Sequence, residues 1–466
     1  MNIDGIKQKI NDLDSNIIKD FILDLYLQYP ELENKIETLL LYNEPAALNK
    51  AILKRIQSVS RGRKYIDYRM SFSFARDLDF ILSDIESGLL KSSPKHALDL
   101  LSKFLATSNK VYERIDDSSG DVGAIYQNAV LLWLTAASQW KTTSAAGAKL
   151  NWLERVYDLY SDNDYAVYDV LLPNCNILLD HDQLVELAWR YESELRQSLK
   201  SANKNDTFNL ASLTSRVALG LVAEALKDPA LYERATLISS PEPNDLQKEA
   251  MIKMYLKFNQ VDGAMRWLNT SWSTRFEGDR LRLLDEAHLQ SGNVDELKKT
   301  RYQTYLRDKS YSSFKRYFEL LKDKEQQTAR DEAIKLAEQG GGQLDDIAVN
   351  VDLLLQLNEP ERAQLLVLAK PEKIAAVFYD SLLKLAKNFE TQKCWLAATV
   401  CYRGLLLDIL NQGRSKAYTH AARYYKKLAM IAEKLPQYKP LDDHAKFIKQ
   451  LEEAHGRKRS FWQRVL

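Results

Sequence analysis

The chain of 466 residues has few helix breakers: 16 glycines and 11 prolines are together about 6% of it, roughly half the usual share. Leu, Ala, Lys, Glu and Gln are abundant, and no period-2 alternation of useful length is present. These features point to an almost wholly helical protein. Cysteine is scarce. Cys175, Cys394 and Cys401 are an odd, sparse set, which does not make a disulfide framework and fits a reducing interior. Cys394 and Cys401 stand seven apart on one helix, about 10 Å along its axis, too far to bridge. Long hydrophobic runs are missing as well. VLLWLTAA at 130–137 is among the longest, and a membrane span needs about 20 such residues. The opening MNIDGIKQKINDLD has neither a basic region nor an apolar region of signal type. No membrane is expected, and the expected location is cytoplasmic.

Motifs that carry chemistry are also absent. The six histidines show no HxxxH or HExxH spacing, no CxxC occurs, and neither GxxxxGK[ST] nor GxSxG is found. Gly340–Gly342 runs into QLDD without a basic residue and reads as a break between helices, not a phosphate cradle. Asp116–Asp121 fails as a calcium loop: Asp121 stands where glycine is required, and Gln127 where a bidentate glutamate is required. Asp121 is expected to cap the following helix, and Asp162 and Asp164 to begin another. No cofactor or metal is expected.

Composition supplies a core: 45% hydrophobic and 28% charged residues argue against global disorder. Residues 65–86 place Tyr68, Phe72, Ala75, Leu78 and Leu82 on one helical face, and 124–140 carry Trp133 and Trp140 at i and i+7. Polar breaks separate the segments: NEPA at 43–46, SSP at 92–94, DDSSGD at 116–121, SANKND at 201–206, SSPEPND at 239–245, GGG at 340–342 and LPQYKP at 435–440. Repetition is more informative. NQVD at 259–262 recurs as GNVD at 292–295, an offset of 33. LQLNEPERA at 356–363 puts Glu361 another 99 residues beyond Asp262, three times 33. Each of the first two turns lies between amphipathic helices, the signature of a tetratricopeptide-like array. The expected fold is all-α, a helix-pair α-solenoid with an irregular helical N-terminal half. It divides into an N-terminal helical segment (1–57), an irregular array (58–205) and tetratricopeptide-like repeats with a basic end (206–466).

Net charge is only +1, which excludes a globally basic nucleic-acid binder. The charge is uneven, however: residues 51–76 hold 7 Lys/Arg against 1 Asp/Glu, and residues 401–466 hold 14 against 6. In the first segment Arg61, Arg63 and Lys64 precede a helix that carries Arg69 and Arg76 on its polar side, with Phe72 and Asp79 on the same flank. These arginines either pair with acids on a neighbouring helix or contact phosphate or an acidic peptide. In the second, Lys416, His420, Arg423 and Lys427 form one stripe, preceded by Arg414, and Ala417, Ala421, Tyr424 and Leu428 form the adjacent core stripe. The end of the chain sets Arg457, Lys458 and Arg459 beside Phe461 and Trp462. That interleaving suits single-stranded nucleic acid, or else a docked terminus with the rings inside.

Three blocks carry a resemblance: SRGRKYIDYR (60–69), VYERIDDSSGDVGAIYQNAVLLW (111–133), and LAATVCYRGLLLDILNQGRSKAYTHAARYYKKL (396–428) with DDHAKFIKQLEEAHGRKRSFW (442–462). They resemble an uncharacterised bacterial helical-repeat family, partly similar to the helical region that follows the zinc module in SWIM-type zinc-finger proteins. The zinc module itself has no counterpart here. The resemblance implies a helical-repeat fold in a bacterial cytoplasm and brings no site residues.

The expected function is therefore a non-enzymatic scaffold that binds a protein partner through a curved helical surface. One alternative is nucleic-acid binding through the segments 58–76 and 414–427. A second is an enzyme with a cryptic site near Asp116, Asp117 and Arg69. The ten candidate contact residues are Arg61, Arg63, Lys64, Arg69, Arg76, Arg414, Lys416, His420, Arg423 and Lys427.

Overall fold

A computed structural model describes residues 3–201, 209–339 and 344–465. The GGG at 340–342, and all of the SANKND break but its first residue, lie outside the described residues. Among the described residues the protein is all-helical and no strand forms. An isolated parallel bridge joins Ile66 and Ile115. The five other polar breaks all fall between helices, and prolines occupy the first turn where Pro45–Arg61 and Pro94–Leu105 begin, as their missing N–H allows. Among the described residues no helix is long and apolar enough to cross a membrane.

Two compact units are present, Met1–Phe258 and Asn259–Leu466, each with its own core. The first core runs from Leu48 and Ile52 through Leu82, Phe104, Tyr126 and Trp152 to Ala235. Residues 209–258 thus belong with the N-terminal half of the chain, across the 205/206 division expected from sequence. The second core runs from Tyr305 to Phe461.

Helix starts recur along the sequence. Leading helices begin at 210, 245, 277, 311, 344 and 379, at intervals of 35, 32, 34, 33 and 35 residues. Their followers begin at 229, 261, 294, 323, 360 and 395. Most of the connecting turns share one geometry. Lys227, Asn259, Gly292, Asn358 and Lys393 all adopt left-handed backbone, with φ of 56°, 56°, 69°, 60° and 60°. After four of them the next residue donates its N–H to the carbonyl five residues back: Asp228 to Ala223, Asn293 to His288, Glu359 to Leu354 and Cys394 to Phe389, at 2.9 to 3.0 Å. This bond satisfies a carbonyl at the end of the leading helix and turns the chain into its partner.

Three local expectations are corrected. Asp121 is the first helical residue, not the cap. The cap is supplied by Asp117, which accepts from Val122 N–H (3.0 Å) and Gly123 N–H (2.8 Å), because Gly120 itself has no side chain to offer. Asp162 closes the helix Trp152–Ser161 instead of opening a new one, and Asp164 sits in the turn beyond it, accepting from Asn109. Tyr68 and Phe72 are 58% and 66% exposed. At about 100° per residue, the buried arc of Tyr68–Gly88 is centred on Ser71, Ala75, Leu78, Leu82 and Ile85, and Phe72 falls outside it.

Burial holds the imidazoles of His288 and His455 below the ordinary histidine range, and at His444 the Arg403 guanidinium adds to burial. The unfolded chain therefore takes up protons that the folded chain refuses, so their contribution is complete above the ordinary histidine pKa and is lost as pH falls from there through the lower folded value. The urea midpoint should drop between about pH 7.5 and about pH 5.5, and His288→Gln should flatten that slope. A midpoint independent of pH over this window contradicts the assignment.

Candidate functional site

Three helices of the second unit each bring a stripe to one groove. Tyr379–Thr391 contributes Tyr379, Leu383 and Lys387 at i, i+4 and i+8, with Glu390 one turn on. Trp395–Asn411 contributes Tyr402 and Ile409, seven apart. Tyr418–Ala432 contributes His420, Arg423, Tyr424 and Lys427, and Arg414 and Ala417 enter from the turn before it. These spacings keep side chains on one helical face. The apolar stripe beside them fixes the third helix: Ala421, Tyr424 and Leu428 are buried at 0, 3 and 1% exposure, as the sequence predicts, and Ala417 is half-buried.

The groove holds about 480 Å³, within the range of ligand-binding clefts. Five cationic or protonatable side chains line it against one carboxylate. That carboxylate, Glu390, accepts from Lys427 Nζ (2.5 Å) and from the Tyr402 hydroxyl (2.7 Å). Burial pushes its pKa up, but the bonds from Lys427 and Tyr402 outweigh burial and hold it below the usual carboxylate range. Arg414 is taken by Asp408. Lys387, His420 and Arg423 are exposed and make no ion pair among the described residues. The Tyr379 and Tyr424 hydroxyls bond to each other, and the Tyr402 and Tyr424 rings lie 5.8 Å apart. The floor is thus phenolic and the walls are cationic. Arg423 and Lys427 also border a second hollow with Lys426 and Arg464, so the positive surface continues round the helix. Closely spaced cations with low-dielectric walls concentrate field and attract anions.

Of the expected stripe Lys416, His420, Arg423 and Lys427, the last three line the groove, together with Arg414 from the turn before the helix. Lys416 is exposed and unpaired outside the lining. Lys387, Tyr379, Tyr402 and Glu390 were missed. Their own spacing is legible, but nothing local says which neighbour they face.

The first basic segment belongs to the other unit. Arg61, Arg63, Lys64, Arg69 and Arg76 are all exposed, and none forms an ion pair among the described residues. The pairing with acids on a neighbouring helix that the sequence allowed is therefore not made. The segment is held in place all the same. Ile66 N–H donates to Arg114 O (2.8 Å), and Asp116 N–H donates to Ile66 O (2.9 Å). The Arg114 guanidinium donates to Lys64 O and Val59 O at 3.2 Å and lies over Phe74. At the chain end, Phe461 is fully buried and the Trp462 indole donates to His455 O (3.1 Å), so the terminus is docked with its rings inside.

Fold and site together define a protein that is all-helical among the described residues and carries a cationic, tyrosine-floored groove. The chain belongs to a family of unknown function, DUF6880, whose model matches residues 20–230 and 247–464. No curated protein and no solved structure matches it.

Proposed function

We propose that the protein is a tetratricopeptide-like helix-pair scaffold, non-enzymatic, that holds an acidic segment of a protein partner in the groove of its second unit. A bacterial cytoplasmic setting and kinship with the helical region of SWIM-type zinc-finger proteins belong to the same reading. The observation that carries it is the unpaired Lys387, His420 and Arg423 arranged around a single carboxylate. A recurrence of 32–35 residues in helix starts supports the repeat architecture. The positive surface extends past the groove to Lys426 and Arg464, which suits an extended chain better than a compact ligand.

The test is fluorescence anisotropy with a short labelled peptide rich in glutamate. Wild type should bind, more weakly as salt rises. Lys387→Glu with Arg423→Glu should weaken binding about tenfold or more, because attraction becomes repulsion across the groove. Lys149→Glu, on an exposed position of the other unit, should leave it unchanged. Equal affinity for all three proteins overturns the reading.

A further inference from the structure

We propose that the exposed strip 61–76 of the first unit is a platform for single-stranded nucleic acid. On the helix Tyr68–Gly88, at about 100° per residue, Tyr68, Phe72, Arg76 and Arg69 share one solvent-facing arc, and the exposed Asp79 stands on it about 10 Å beyond Phe72 along the axis. Tyr68 and Phe72 are 58% and 66% exposed, and Tyr65 in the preceding turn is 62% exposed. Tyr68 and Phe72 stand about 6 Å apart along the axis, and Phe72 is flanked by Arg69 three residues before and Arg76 four after. The cations at 61, 63, 64, 69 and 76 have no acid partner.

Uncovered flat rings alternating with unpaired cations match one chemistry. Bases stack on the rings and are indifferent to sequence, while phosphates take the guanidinium and ammonium groups. An acidic peptide would satisfy the charges and leave the ring faces uncovered. A lipid surface is favoured by bulky aliphatic side chains, and the strip offers one exposed methionine, Met70, with no exposed leucine, isoleucine or valine. The platform is also pre-set. Asp67 caps the helix by accepting from Arg69 and Met70 N–H at 2.9 and 3.1 Å, and the Ile66–Ile115 bridge fixes the turn. By contrast, the basic and aromatic chain end has its rings occupied by the core, so its interleaving offers no such surface.

The proposal is independent of the groove. The experiment is anisotropy of the full chain with fluorescein-labelled oligothymidylate, a duplex of the same length, and vesicles containing phosphatidylserine. The single strand should bind at low salt, with log affinity falling against log salt at a slope of up to about −3.5, for as many as five phosphates neutralised. Tyr68→Ala with Phe72→Ala should lower affinity for the single strand about tenfold or more, and have little effect on the duplex. Arg69→Glu with Arg76→Glu should abolish binding to both. Lys387→Glu with Arg423→Glu should leave the strand's affinity unchanged. All four substituted side chains of the strip are exposed, and circular dichroism should show the helix content intact. Absence of strand binding at low salt overturns the proposal. So does equal binding by the aromatic double variant, or loss of vesicle binding alone in these variants.

Discussion

Arg55→Ala should cost the first unit about 3 kcal/mol, the lower end of the cost of breaking a buried ion pair. Asp84 is 1% exposed near the C-terminal end of the helix Tyr68–Gly88, and its Oδ2 accepts from Arg55 Nη1 at 2.5 Å. A carboxylate so placed loses most of its hydration and is tolerable only while a cation and hydrogen bonds replace the water. Alanine at 55 removes the cation and leaves only the Tyr42 hydroxyl, 3.1 Å from Oδ1. That remaining donor, and the 21% exposure of the Arg55 side chain, keep the loss from the upper end. Asp84→Leu combined with Arg55→Met should recover most of it, since a packed apolar pair removes the buried charge altogether. Urea unfolding of Arg55→Met, Asp84→Leu and the double variant closes the cycle. Additive losses would show that the pair is not coupled.

Trp152→Ala should be at least as severe, about 3–5 kcal/mol. The indole is fully buried, edge-on to Trp133 and Trp140 at 6.2 and 6.0 Å, and it donates to Gly147 O at 2.9 Å. Alanine leaves both a cavity and a carbonyl without its donor. Collapse around the void is blocked on one side, because the turn at Gly147 already touches the preceding helix. A Cβ there would stand 2.4 Å from Trp140 O. Trp152→Phe should fall well short of the alanine loss, since it keeps most of the volume. If the alanine and phenylalanine variants unfold at the same urea concentration, the cavity account is wrong.

The all-helical class and the positions of most polar breaks are legible in the sequence, because helix propensity and breaker scarcity act locally. The recurring spacing of helix starts is legible only in part. Its left-handed turn position holds asparagine or glycine at 259, 292 and 358, which mark a turn, but lysine at 227 and 393, which does not. The i-to-i−5 bond that defines those turns belongs to the backbone and leaves no residue signature. The core stripe of Tyr418–Ala432 follows from 3.6-residue periodicity. Tyr68 and Phe72 show where periodicity misleads: their spacing fits a core face, but the buried side of the first turn is the one that carries Ser71, and both rings lie beside it in solvent. Half of the groove was hidden for a related reason, since Lys387 and Glu390 acquire their meaning only from the helices packed beside them.

The most direct test of the groove as the partner site is hydrogen–deuterium exchange of the full chain with and without the glutamate-rich peptide. The account predicts slower exchange in Tyr379–Thr391, Trp395–Asn411 and Tyr418–Ala432, with the helices of the first unit unchanged. Protection confined to other helices, or none at a peptide concentration that saturates the anisotropy signal, would contradict it.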